Sequence, residues 1–251
     1  MKGHPHMNQS VTTTTPESLR QELVIANRVL VGLGVLDAFG HVSARLAPGE
    51  DCFLLSRNLA PGSVTVDDLL EHDLNGNVSD GAPRPYLERF IHAEIYRSRP
   101  DVMAVVHSHS SVVVPFSTVS TALRPLIHMA GFLPAGGAPV FEISDVAGDA
   151  SDMLITSSDL GRALASTLGD NSVALMRGHG SVAVGSTIAE AVYRAHYTEV
   201  NARAQAEALS IGGEPRYLSS GEAAAANETV GSQVLRAWNV WRENVQSDTA
   251  P

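Results

Sequence analysis

Two histidines one residue apart close an apolar run, Val102-Met-Ala-Val-Val-His107-Ser-His109. If the run is a strand, alternate residues share a face. His107 and His109 then present two imidazoles to one side, roughly 7 Å apart at the backbone. That spacing suits two ligands of one divalent metal. A third candidate, His179, lies between glycines in Met176-Arg-Gly-His-Gly-Ser181, where ligand and backbone can approach closely. An acid, Glu88, precedes His107 by 19 positions. Three histidines and an acid make the composition of an open catalytic metal site rather than a closed structural one. Zinc suits three imidazoles, with manganese or iron(II) as alternatives.

Other candidates carry less local information. Glu88 alone also reads as a first-turn acid at a helix N-terminus. His92 follows it by one turn on the same face, as a partner or a packed core residue. His41 and His128 read equally as pocket residues or as ordinary buried histidines. Glu94 reads as a solvent contact of Arg97, and His72 and His196 as surface or helix-face residues. His4 and His6 sit in a polar stretch that suits adventitious metal binding at most. Gly131–Gly137 lacks the Lys-Ser/Thr of a phosphate loop, so nucleotide binding is not expected.

The elements that must position these residues follow from pattern. Thr15-Pro16-Glu17 reads as a helix start: a capping hydroxyl, proline in the first turn, then an acid. Apolar positions Leu23, Ala26, Leu30 and Leu33 recur at helical spacing. Strands are expected at 41–46, 52–55, 140–143, 153–155, 173–176 and 182–184. Asn75-Gly76 is a hairpin signal. Pro85 opens a helix that breaks at Pro100-Asp101. The run 111–118 fits helix or strand. Helices are also expected at 158–168, ending at Gly169, at 186–210 and at 231–245. Strands interleaved with helices predict an α/β protein, a three-layer α/β/α or α+β domain with a mostly antiparallel central sheet.

The chain has 251 residues, 44 % of them hydrophobic, and a formal net charge of −10. Residues 16–251 fit one domain, after a disordered N-terminal arm over 1–15. With 17 Lys+Arg against 27 Asp+Glu, nucleic acid and anionic membrane are not expected partners. The single cysteine, Cys52, excludes an intrachain disulfide and a zinc-thiolate cluster, which fits a cytoplasmic location. No apolar run is long enough to span a bilayer, and the N-terminus lacks the apolar core of a signal peptide.

Taken together, the motifs resemble the class II aldolase/adducin family. The carriers are Gly40-His-Val-Ser-Ala-Arg45, the Glu88 helix, Arg99-Pro-Asp-Val-Met-Ala-Val-Val-His-Ser-His109 and Arg177-Gly-His-Gly180, in that order. They frame most of residues 17–210. The resemblance implies an α/β/α sandwich and a homotetramer with active sites at subunit interfaces. It implies a divalent metal on His107, His109 and His179, with Glu88 as acid/base.

The chain also departs from the sugar-phosphate members of that family. His41 stands where asparagine is expected. Ser56-Arg-Asn-Leu-Ala-Pro-Gly-Ser63 replaces the phosphate loop, and Tyr86-Leu87 replaces two serines. Hydroxyls and glycine amides hold a phosphate dianion. An arginine and an aromatic suit a planar carboxylate instead. This pattern is similar to a branch of decarboxylases acting on hydroxylated pyridine- or benzene-carboxylic acids. It implies catalytic roles for Glu88 and His41, and a small-molecule carboxylate bound by Ser43, Arg57, Tyr86 and His128. Alternatives are an aldolase for a non-phosphorylated, or less readily a phosphorylated, hydroxy-carbonyl substrate, and an adducin-like binding module without catalysis. The three histidines argue against the last.

Overall fold

The computed structural model describes residues 15–248. The expected arm, with His4 and His6, lies outside these residues except for Thr15. Helix α1 (Pro16–Gly32) starts where the sequence predicts. The Thr15 hydroxyl accepts the Ser18 amide at 3.2 Å, and proline follows in the first turn. Its inward face is Leu23, Ala26, Val29 and Leu30.

Seven strands form one sheet: β1 (His41–Arg45), β2 (Cys52–Ser56), β3 (Leu69–Asp73), β4 (Ala104–Ser108), β5 (Val140–Phe141), β6 (Val173–Met176) and β7 (Gly180–Gly185). Their spatial order is β3-β2-β1-β4-β7-β6-β5. Every neighbouring pair is antiparallel except β5–β6. β4 therefore lies mid-sheet, with β1 on one side and β7 on the other, and it carries His107.

Helices cover both faces. On one face α1 and α5 (Ile188–Ile211) pack on Val42, Ala44, Ala104, Val106 and Leu175, and α7 (Val234–Asp248) packs on α1 and α5. On the other lie α2 (Arg89–Ser98) and α4 (Ser158–Leu168), packed on Phe53, Leu55, Val105, Ala174 and Val184. The expected α/β/α layering is what the chain adopts. Strand alternation assigns each residue to a layer. In β1 it sends Val42 and Ala44 toward α1 and α5, and leaves His41, Ser43 and Arg45 on the α2 side. All five residues are buried, so the α2 side of β1 is a buried polar face.

Several local expectations change. Leu69–Asp73 forms a strand the pattern did not show. The Asn75-Gly76 turn closes on Asp73, whose carboxylate accepts the amides of Asn75 and Asn77, so no second hairpin strand follows. The helix after Pro85 begins only at Arg89, because Pro85 is still bridged to Arg57 at the sheet edge. Residues 153–155 are loop, with Met153 at φ 71°. The run 111–118 holds a 3-10 turn at Val114–Ser117. Two further helices appear, α3 (Ser144–Ala147) and α6 (Ser220–Gly231), the second opened by a Ser219–Glu222 capping box.

Polar residues read as exposed turn out to be inside. Glu94 is buried against Arg97 at 3.4 Å and Arg162 at 3.8 Å. His72 is buried and stacked on Phe53 at 5.1 Å, with its Nε2 unpartnered. Burial lowers its pKa from 6.5 to about 4. An imidazole held neutral in the fold binds fewer protons than the same group unfolded, so stability rises with pH across this window. The contribution of His72 is full above about pH 6.5 and is lost as pH falls toward 4. In His72→Phe the decline of Tm between pH 6.5 and 4 is expected to be shallower than in the parent. A slope unchanged by the substitution would count against this assignment.

Candidate metal centre and active site

β4 ends at Ser108, and His107 and the residue just past the strand, His109, point the same way. Their Nε2 atoms lie 2.9 Å apart. The turn between β6 and β7 brings in His179, whose Nε2 is 3.1 Å from that of His109. This approach requires Gly180: a Cβ there would meet the Ser108 carbonyl oxygen at 2.2 Å. Gly40 plays the same part on the other side. It sits at φ +85°, and a Cβ would lie 2.8 Å from the His107 carbonyl oxygen.

The fourth member is Glu88, at the N-cap position of α2. Its Oε2 is 3.6 Å from His179 Nε2 and 3.8 Å from His107 Nε2. Its Oε1 accepts the Ile155 amide at 3.0 Å. Glu88, His107, His109 and His179 each offer a ligand atom, all within 4.8 Å of one another. The donor set fits a divalent cation. His107 donates Nδ1–H to the Ser181 carbonyl at 3.1 Å, which leaves Nε2 as its lone-pair nitrogen. Burial depresses the pKa of His107 to about 3, against a smaller opposing pull from Glu88. Burial also lowers His109, with His179 adding to the effect. These two imidazoles are therefore neutral, as ligation demands. Nitrogens on one tetrahedral zinc sit roughly 3.3 Å apart, given bonds of about 2.0–2.1 Å. The two observed spacings are close to that.

Burial alone would raise the pKa of Glu88. The contact with His179 and the surrounding imidazoles of His107 and His41 outweigh it, and hold the carboxyl well below its ordinary range. The folded chain keeps Glu88 an anion.

The cluster lies at the foot of a cavity of about 320 Å³. Phe39, Leu59, Ala60, Tyr86, Leu87 and Leu154 supply apolar walls, with His41, Glu88 and His109 at the polar end. Among the described residues lining it, none is Lys or Arg. Tyr86 packs on the His41 ring at 4.6 Å and donates its hydroxyl to the Leu59 carbonyl.

Three residues predicted to bind substrate are elsewhere in the subunit. Ser43 is on the buried face of β1, with its hydroxyl against His92 at 2.6 Å and Tyr96 at 2.8 Å. Arg57 is paired with Asp68 at 2.6 Å, because both flank the turn between β2 and β3. His128 lines a different cavity, with Tyr193, Tyr197 and Trp241, on the α5–α7 side. The sequence reading also missed the Ile155 amide and the walls Phe39, Leu59 and Leu154. Nothing in their types marks them, since apolar loop residues read as packing.

Comparison with known proteins agrees with this architecture. Residues 21–206 match the family described as Class II Aldolase and Adducin N-terminal domain. The chain is 40 % identical over 237 residues to the decarboxylase tropJ of Talaromyces stipitatus, covering 85 % of this chain and 88 % of that protein. It is 28 % identical to the 3,4-dihydroxyphthalate decarboxylase of Arthrobacter keyseri, over 95 % of this chain and 97 % of that one. The structure of an aldolase II superfamily protein from Pseudomonas syringae superposes with a TM-score of 0.76 at 24 % identity, over 95 % of this chain and 96 % of that one, a likeness of fold.

Proposed function

We infer, for a chain that belongs to the class II aldolase and adducin family, a carbon–carbon lyase that removes CO₂ from a hydroxylated aromatic or heteroaromatic carboxylic acid. The observation that carries this reading is the junction of three imidazoles and an anionic carboxylate with an aromatic-walled cavity that lacks a cationic side chain. A phosphate would find no cation or hydroxyl cluster there. A flat ring finds Tyr86, Phe39 and Leu154. Relatives that carry the name decarboxylase support the same reading.

His107, His109 and His179 would hold the ion, with zinc the metal best suited and manganese or iron(II) compatible with the same donors. When bound, such an ion supplies Lewis acidity toward the substrate's adjacent hydroxyl and carboxylate oxygens. The remaining work falls to the chain. Tyr86 packs against the ring. Glu88, as an anion, accepts the hydroxyl proton. Cleavage of the ring–carboxylate bond releases CO₂ and leaves the electron pair on the ring carbon. Glu88 returns its proton to that carbon, forming the new C–H bond. The hydroxyl regains a proton from solvent on release. Arg57 is paired with Asp68, and His41 is the chain's own contact for the carboxylate.

The test is incubation of the metal-loaded protein with a panel of hydroxybenzoic, dihydroxyphthalic and hydroxypyridine carboxylic acids, and separately with phosphorylated and non-phosphorylated aldols. CO₂ from at least one acid, with no aldehyde from the aldols, is expected. Aldehyde release without CO₂ from any acid would overturn the reading. The proposal includes a homotetramer in the cytoplasm. Exposed Phe39 and Leu87 at the cavity mouth, and Leu235 and Val240 on α7, are apolar surface that a neighbouring subunit would cover. An active monomer by light scattering, or a secreted chain by fractionation, would count against these parts.

A further inference from the structure

The buried polar face of β1 meets α2 in a single file of hydrogen bonds. The Tyr96 hydroxyl lies 2.8 Å from Ser43 Oγ. Ser43 Oγ lies 2.6 Å from His92 Nδ1. His92 Nε2 lies 2.6 Å from His41 Nδ1. The file ends at the cavity, which His41 lines. Ser43 and His92 are fully buried, and His41 and Tyr96 nearly so. We propose that Tyr96, Ser43 and His92 are positioning residues that lock His41 with its proton on Nε2, so that it enters the cavity as a hydrogen-bond donor.

The number of protons available to the file fixes its direction. His41 and His92 are buried, and no carboxylate among the described residues lies within hydrogen-bond distance of either ring, so each is neutral. Each of the four groups then brings one proton to this file: two hydroxyl hydrogens and one N–H per ring. Three links use three protons. The fourth must point outward from one end. At the Tyr96 end it has nowhere to go. Among the described residues, no acceptor other than Ser43 Oγ lies within hydrogen-bond distance of that hydroxyl. The Arg45 guanidinium, 4.9 Å over the Tyr96 ring, has no acceptor atom. A buried hydroxyl hydrogen without an acceptor is costly. At the His41 end a substrate oxygen or water accepts the proton. So Tyr96 donates to Ser43, Ser43 to His92 Nδ1, and His92 Nε2–H to His41 Nδ1.

The file orients and does not supply protons. Shifting every proton one link toward the cavity would leave Tyr96 a phenolate, and burial pushes that hydroxyl's pKa far up. A fixed Nε2–H has two uses. It donates to a carboxylate oxygen, a use that rests on the decarboxylase reading. It also denies the metal a lone pair from a fourth imidazole, whose ring is 5.0 Å from that of His107. The second use stands whatever the reaction is.

Neutron diffraction on deuterium-exchanged crystals of the zinc-loaded full chain tests the lock directly. Deuterons are expected on His41 Nε2 and His92 Nε2, with Ser43 directed at His92 and Tyr96 at Ser43. A deuteron on His41 Nδ1 overturns the proposal. Kinetics give a second reading. Ser43→Ala is expected to raise KM for the hydroxy acid about tenfold, the size of one lost oriented hydrogen bond, with kcat within about threefold. Ser43→Thr, which keeps the hydroxyl, should restore KM. An Ser43→Ala enzyme with parental KM overturns the role in binding. Deuterons placed as stated in a protein that decarboxylates nothing would sink the reaction and leave the lock standing.

Discussion

His107→Ala is expected to lose its metal and its turnover together. The side chain is fully buried, and its Nε2 lies 2.9 Å from that of His109 while Nδ1 is tied to Ser181. Removing it leaves two imidazoles for an ion that needs three fixed protein ligands. The Lewis acid contributes several kcal/mol to the barrier. Its loss corresponds to a fall in kcat/KM of at least about 10³-fold, at 1.36 kcal/mol for each factor of ten. Elemental analysis of metal per chain, run beside the rate and a circular-dichroism spectrum, checks this. His109→Ala serves as the companion, because His109 is less buried and its loss disturbs packing less. A fully metallated His107→Ala protein would show that the ion sits elsewhere. Full turnover after complete metal loss would remove the ion from the chemistry.

Glu88→Gln should separate proton transfer from binding. The amide oxygen of glutamine can still accept from Ile155, so the loop and α2 keep their contact. Metal content should remain, since the three imidazoles are untouched. The proton carrier is gone, and general acid–base catalysis of this kind is worth roughly 10² to 10⁴ in rate. The loss should fall on kcat, with KM little changed. The folded chain holds the carboxyl well below its ordinary range, so the parental enzyme should not lose activity through Glu88 protonation anywhere between pH 5 and 8. Near-parental kcat in the variant refutes the role.

The histidine cluster was legible because its residues announce themselves by type and spacing. His-x-His at a strand end shares a face for geometric reasons, and a glycine-flanked histidine has few structural uses. The helix start at Thr15 was legible through its capping hydroxyl. Burial of polar residues was not. His72 and Glu94 look like surface by type and Ser43 like a substrate contact, and only the third dimension supplies Phe53, the two arginines, and His92 with Tyr96. A clue did exist for Ser43. In His41-Val-Ser-Ala-Arg45, polar and apolar residues alternate, and His92 and Tyr96 recur at helical spacing on α2. Two polar stripes of matched period can face each other. Arg57 carries an ambiguity of the opposite kind. A cation suggested a carboxylate clamp, and the carboxylate it meets is the chain's own Asp68. β3 was hidden because Leu-Leu-Glu-His-Asp carries the composition of a loop.

The amide that holds Glu88 comes from Ile155, 67 residues along the chain and outside any helix or strand. A backbone N–H is common to nineteen of the twenty amino acids. Mutational scanning at position 155 would therefore register only how well each side chain packs, since Ile155 is fully buried. Proline alone would withdraw the donor itself. Part of this active site is thus written in the path of the chain rather than in its lettering. Drift at such a position can erase every trace of kinship in the letter while the grip on the carboxylate is inherited intact.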